Sequence, residues 1–163
     1  MNRDTAVYLP SSLVIDIEEI DEQHANLFFR LAALKMQCIE TNEFPSEAAS
    51  ALLDILEEHC ATEERLAGIS GVDFSAHAVK HQKMLAAINK AVEEIHEHKI
   101  DVFSVLRYIE YWFERHIVEE DLHLGQHLRQ TSSRQFVAET RHVRPAHAAA
   151  GLPHAPLLAP SHP

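Results

Sequence analysis

Apolar positions along the chain group into four stretches with helical spacing, separated by short breaks. From about Asp21, the residues Leu27, Phe28, Leu31, Leu34 and Cys38 recur at steps of three and four, which lines one face of an α-helix. That pattern stops near Thr41 and Asn42. Phe44-Pro45-Ser46 opens the second stretch, with Ser46 as N-cap and Glu47 in the first turn, where the helix dipole favours an acid. Leu52, Leu53, Ile55 and Leu56 form its stripe as far as about Leu66, and Gly68 and Gly71 end it. A third helix is expected over Ser75 to Glu97, carrying Val79, Leu85, Ile88, Val92 and Ile95. Asp101 then caps a fourth, with Val102, Leu106, Ile109, Phe113 and Ile117, that runs to about Arg129.

Four helices of about 20 residues, each about 30 Å long and joined by short connections, predict an all-α, antiparallel up-down four-helix bundle. The bundle is expected over residues 13–130. Residues 1–12 read as an extended N-terminal arm, broken by Pro10 and the Ser11-Ser12 pair. From Thr131 the periodicity dissolves into a segment rich in Pro, Ala and His. Such a segment buries too little apolar surface to offset its ordering entropy, so 131–163 is expected to be a flexible, disordered tail.

Composition narrows the function. The 163 residues carry a formal charge of -11, and residues 131–163 contribute none of that excess. No basic patch is available for phosphate, so nucleic acid is not an expected partner. Neither a signal-peptide pattern nor an apolar run of membrane-spanning length is present, which predicts a cytoplasmic protein without a membrane partner. Two cysteines, Cys38 and Cys60, form no Cys-x-x-Cys motif.

There are also 13 histidines, and their placement carries the chemistry. In His59-Cys-Ala-Thr-Glu63, residues four apart sit about 40° apart around a helix, so imidazole and carboxylate point the same way. His77-Ala-Val-Lys-His81 repeats that spacing with two imidazoles. His24 lies on the face marked by Leu27, Phe28 and Leu31, and His116 sits between Phe113 and Ile117. One inward histidine is usually an ordinary core residue with a hydrogen-bond partner. Five on the apolar faces of four helices would be costly to desolvate without a shared cation. Imidazole with carboxylate suits iron, zinc or manganese. On the fourth helix the spacing leaves the carboxylate open: Glu120 or Glu119 would share the face of His116 better than Asp121, which lies about 140° away on an ideal helix.

The order His24, His59-x-x-x-Glu63, His77-x-x-x-His81, His116-x-x-x-x-Asp121 resembles the ligand set of the hemerythrin family. Ile-Asp-Glu-Gln-His at 20–24, His-x-x-x-Glu-Glu at 59–64 and Tyr-Trp-Phe-x-x-His-Ile at 111–117 resemble its bacterial members. The resemblance spans about residues 13–128. It implies two non-haem irons: one held by His77, His81 and His116, the other by His24 and His59. Glu63, Asp121 and a solvent-derived oxygen would bridge them. It also implies that dioxygen binds reversibly at an open position on the two-histidine iron, each iron supplying one electron. Phe113, Ile117, Cys60, Leu27 and Phe28 are then expected to wall the oxygen pocket. Cys60 stands where an aromatic residue is usual in the family, Phe113 where leucine is common, and Tyr8 and Leu9 where a tryptophan often opens the domain.

Three functions follow: an oxygen carrier, store or sensor; a di-iron enzyme reducing peroxide or oxidising a substrate; or an oxygen- or redox-responsive regulatory module. Di-iron oxygen activators are typically richer in carboxylates, and no catalytic acid or nucleophile stands out. The first reading is therefore preferred over an enzyme with weak peroxidase or oxidase activity. Dioxygen is the expected ligand, and an oxygen-consuming enzyme or signalling protein the expected partner. His96 and His98 read as helix-end cations, His123 and His127 as an exposed pair, His142, His147, His154 and His162 as solvated filler, and Trp112, Phe103 and Cys38 as core.

Overall fold

The computed structural model describes residues 9–97 and 99–142, with side chains as far as 133. Among these, all regular structure is helical, with no strand. After a one-turn 3-10 helix at Ser11–Leu13 come α1 (Glu18–Thr41), α2 (Ser46–Ser70), α3 (Ser75–His96) and α4 (Val102–His116). A π-helical turn at Ile117–Asp121 continues α4 directly into α5 (Leu122–His142). α1 packs on α2, α2 on α3, α3 on α4 and α4 on α1, which closes a helical bundle around one core.

The apolar stripes build that core. Leu27, Leu31, Leu34 and Cys38 of α1 meet Leu52 and Leu56 of α2, Met84 and Ile88 of α3, and Leu106 and Phe113 of α4. Two expected core positions lie outside it. Val79 is 45% exposed and Phe103 38%, because each falls on the flank of its helix rather than on the buried face. No helix is long and apolar enough among the described residues to cross a membrane.

Helix ends follow local chemistry. Asn42 (φ 53°) and Gly71 (φ 67°) end α1 and α2 in the left-handed conformation. Val72 N–H returns to Ala67 O at 2.9 Å, so Gly71 is the stop, and α2 runs through Gly68. Asp101 caps α4 by accepting the Ser104 N–H at 2.8 Å. Ser46, expected to be a cap, is the first residue of α2 with Pro45 in the cap position, and no side chain caps that end.

Both flanks differ from expectation where they are described. Within the arm expected over residues 1–12, Leu9 is buried and a 3-10 turn starts at Ser11; Leu13 and Ile15, at the start of the bundle, are buried with it. α1 starts at Glu18, and buried Asp21 accepts the Ile15 N–H at 2.8 Å, tying this segment to the helix. Gly125 makes room for it: a Cβ there would stand 2.8 Å from Ile15 O. Arg129 on α5 also donates to that carbonyl. At the other end, helix continues through 131–142, where a tail was expected. No proline falls between Pro45 and Pro145, and the Thr131, Ser132 and Ser133 hydroxyls donate to carbonyls four residues back. Residues 1–8, His98 and 143–163, including His147, His154 and His162, lie outside the described residues.

Candidate metal centre

Seven side chains from four stretches of helix meet inside the bundle: His24 of α1, His59 and Glu63 of α2, His77 and His81 of α3, His116 of α4 and Asp121 of the π turn. All are buried. Their donor atoms form two overlapping groups, each able to hold a metal ion. One contains Glu63, His77, His81, His116 and Asp121; the other contains His24, His59, Glu63 and Asp121.

The two carboxylates belong to both groups and divide their oxygens between them. Asp121 Oδ2 stands 3.2 Å from His24 Nε2, while Oδ1 stands 3.2 Å from His77 Nε2 and 3.1 Å from His116 Nε2. Glu63 Oε1 lies 4.0 Å from His59 Nε2, and Oε2 lies 3.4 Å from both His77 Nε2 and His81 Nε2. The His116 Nε2 atom is 2.8 Å from that of His77 and 2.9 Å from that of His81. Three ring nitrogens converging so closely surround a point that a cation would satisfy better than any proton arrangement.

Buried atoms without partners make the same case. His24 Nε2, His59 Nε2 and both oxygens of Glu63 and Asp121 have no aligned hydrogen-bond partner. Leaving such atoms unsatisfied costs about 1–3 kcal/mol each, and more where they are charged. Protonation relieves only part of this. Burial first, then repulsion from Asp121, pushes the Glu63 carboxyl well above its usual range. Burial also acts to raise Asp121, but the His116, His24 and His77 imidazoles outweigh it and hold that carboxyl well below its usual range. Burial, followed by the neighbouring imidazoles His116 and His77, pulls His81 down to about 3. Burial, then His24, holds His59 well below its ordinary value. His59 and His81 are thus held neutral, the form in which imidazole coordinates metal.

The π turn explains why Asp121 is the fourth-helix carboxylate. Leu122 N–H donates to Ile117 O, five residues back, so this turn holds one more residue than an α turn. Residues five apart are thereby brought to one face, and Asp121 joins His116 in the interior. Glu120 instead pairs with Lys80, and Glu119 with Arg115, at the surface.

Sequence reasoning missed several supporting residues. Gln23 Oε1 lies 3.3 Å from His59 Nδ1, and Gln23 Nε2 donates to Thr62 Oγ1 at 2.9 Å. With Nδ1–H given to Gln23, the Nε2 lone pair of His59 faces the centre. Phe74, just before α3, packs its ring 4.4 Å from His77 and 5.6 Å from His81. Trp112 stacks on His116 at 4.8 Å and 15°. No periodicity marks Gln23, which faces sideways from the stripe of α1. For Trp112, the four-residue step to His116 was the available signal.

Of the residues expected to wall an oxygen pocket, Phe113 sits edge-on to His24 (5.5 Å) and His59 (6.0 Å), with Phe28 at 5.2 Å behind it. Leu27 and Phe113 also line a wholly apolar cavity of about 30 Å³. Ile117 and Cys60 are buried nearby. Burial and then the charge of Glu63 raise the Cys60 thiol to about 12, so it stays protonated. Outside the centre, His123 and His127 are exposed, and His127 Nδ1 bonds the His123 carbonyl. His96 lies exposed in the last turn of α3, and Cys38 is buried.

No protein-family model matches the chain, and neither does any curated protein or solved structure.

Proposed function

We propose that this chain is a di-iron protein of the hemerythrin type that binds dioxygen reversibly, in an antiparallel up-down bundle. The observation that carries this reading is the division of labour in Glu63 and Asp121. Each directs one oxygen toward the three-histidine group and the other toward the two-histidine group, as carboxylates bridging two ions would. Two irons held by these seven side chains would supply the electrons for oxygen binding.

The two groups are unequal. One offers three nitrogens and two carboxylate oxygens, the other two nitrogens and two oxygens. The group with fewer donors retains room for an exogenous ligand, and Phe113 covers that side with an apolar ring. Apolar walls exclude water and stray protons, and so protect a bound oxygen ligand from loss in an oxidised form. Five histidines and two carboxylates favour carriage, storage or sensing over oxidase chemistry, for which carboxylate-rich centres are typical.

The test is anaerobic loading with ferrous iron, metal analysis, then exposure to air under an absorption spectrometer. Two irons per chain and an oxy spectrum that disappears on argon purging and returns with air support the proposal. One metal per chain, a reproducible preference for zinc, or immediate irreversible oxidation overturns it.

A further inference from the structure

A groove of about 580 Å³ runs between α3 and α4 and reaches the metal centre from outside. That volume suits a small organic ligand. Met84 and Ile88 give it an apolar floor, and the His116 ring forms part of its inner wall. Tyr108 and Trp112, four residues apart, share the face of α4 that lines it. Tyr108 is 57% exposed, so a large aromatic surface has been left in solvent beside an apolar floor. Tyr111 is equally exposed but already lies under Arg115, whose guanidinium carbon is 5.9 Å from the ring centre.

Charge at the groove departs from that of the chain. Lys80, Lys83 and Arg115 line it with only Glu119 and Glu120. Arg115 pairs with Glu119 and Lys80 with Glu120, leaving Lys83 as a local positive excess on a protein of net charge -11. An aromatic wall, an apolar floor and a cationic rim select a planar aromatic anion.

The inner wall adds a direction. Trp112 faces the groove and also stacks on His116, a residue of the centre. We propose that this groove binds a reduced flavin of the flavin mononucleotide class and passes its electrons through Trp112 and His116 to the metal centre. The ring system stacks on Tyr108 and Trp112, and the phosphate meets Lys83. The electron step rests on the di-iron reading. Two electrons and two protons leave the dihydroflavin, which becomes oxidised flavin. Each of two ferric ions takes one electron to become ferrous, and the protons pass to solvent. The groove would thus return protein oxidised in air to its oxygen-binding state.

Binding is tested first, on the full-length chain with whatever metal it holds, by titrating oxidised flavin mononucleotide and following its fluorescence. Stacking on Tyr108 and Trp112 is expected to quench it in a saturable way. Tyr108→Ala and Lys83→Glu should each weaken binding at least tenfold, and riboflavin, which lacks the phosphate, should bind several-fold more weakly. Ile69→Ser, at an exposed position on α2, should change nothing. Absence of saturable quenching, or affinity unaffected by both groove variants, overturns the site. The electron route is tested by stopped-flow mixing of iron-loaded, oxidised protein with photoreduced flavin mononucleotide at saturation. Trp112→Leu should slow reduction at least tenfold, while Trp112→Phe, which keeps a ring on His116, recovers most of the rate. Equal rates in wild type and Trp112→Leu overturn the route. Because the flavin titration does not depend on iron, failure of the site and failure of the di-iron reading give different results.

Discussion

Asp121 follows His116 by five residues, yet its Oδ1 stands 3.1 Å from the His116 Nε2. On a regular α-helix the two would diverge by about 140°, so the π turn is what unites them. Asp121→Ala is therefore expected to lose at least half the bound metal, whereas Glu120→Ala, which removes only a surface pair with Lys80, keeps the wild-type content. Metal analysis after loading decides it. Equal retention in both variants would show that Asp121 is no ligand.

Gln23 should matter through His59 alone. Its Oε1 holds the far nitrogen of the ring, and loss of such an orienting partner typically costs about 10–100-fold in metal affinity. Gln23→Ala is expected to weaken metal binding by that order in chelator competition, with the helical circular dichroism unchanged. Wild-type affinity would mean that packing by itself orients His59.

The bundle and most side chains of the candidate metal centre were legible because both rest on one period. His59 and Glu63, like His77 and His81, obey the α-helical step, and the stripes around Leu27, Leu52, Ile88 and Leu106 obey it too. Asp121 was illegible from spacing because nothing near 117–121, neither proline nor glycine, announces a π turn; the family resemblance named it instead. Continuation of α5 past Thr131 was hidden because that segment of the sequence has no apolar stripe; at its start the Thr131, Ser132 and Ser133 hydroxyls bond carbonyls four residues back. The docking of Leu9, Leu13 and Ile15 depends on space beside Gly125, a long-range fit that no local pattern reports.

That fit predicts opposite effects for two glycines. At Gly125 a methyl group would press on the Ile15 carbonyl at 2.8 Å and on its Cβ at 3.2 Å. Gly125→Ala should destabilise the protein by about 1–3 kcal/mol, as overpacking does. Gly68 lies within α2 with nothing within 4 Å of the added carbon. Gly68→Ala should stabilise by about 0.5–1 kcal/mol through helix propensity. Urea denaturation of the two variants beside wild type checks both signs.

The metal-free protein should weaken in mild acid. His81 titrates at about 3 in the fold and His59 well below its ordinary value, whereas both protonate near pH 6.5 once unfolded. Between those limits the unfolded chain binds more protons, so stability present above about pH 6.5 is lost as pH falls. The depressed Asp121 carboxyl acts in the same direction below its unfolded value of 3.8. Glu63, raised in the fold, runs the other way: it costs stability as pH rises from 4.5 through its folded value. Two imidazoles act against one carboxyl, and a net loss of stability is expected between pH 7 and pH 5. Denaturant midpoints at the two pH values measure it. His81→Asn, which cannot titrate, should flatten the profile, and equal midpoints for the wild type would refute the account.

Under the proposed oxygen-binding function, Phe113 and Cys60 should set the lifetime of the oxygenated protein in opposite directions. Phe113 presents its edge to both His24 and His59, and its ring separates the two-histidine side from the rest of the core. Phe113→Ala removes that wall and opens space beside polar donors, conditions under which water enters. Protons then reach the bound ligand, so the oxygenated form should decay several-fold faster. Cys60 is buried, and its thiol, raised to about 12, remains protonated and poorly nucleophilic. Its influence is therefore one of volume: the side chain is smaller than the aromatic residue that the hemerythrin resemblance leads one to expect at this position. Cys60→Phe should displace water from that region and prolong the oxygenated form, provided the core accepts the ring, which an unchanged melting temperature would establish. Decay of the oxy absorption band at fixed pH supplies the readout. An unchanged or faster decay in a well-folded Cys60→Phe protein would assign the wall to Phe113 alone and leave Cys60 as an ordinary buried thiol.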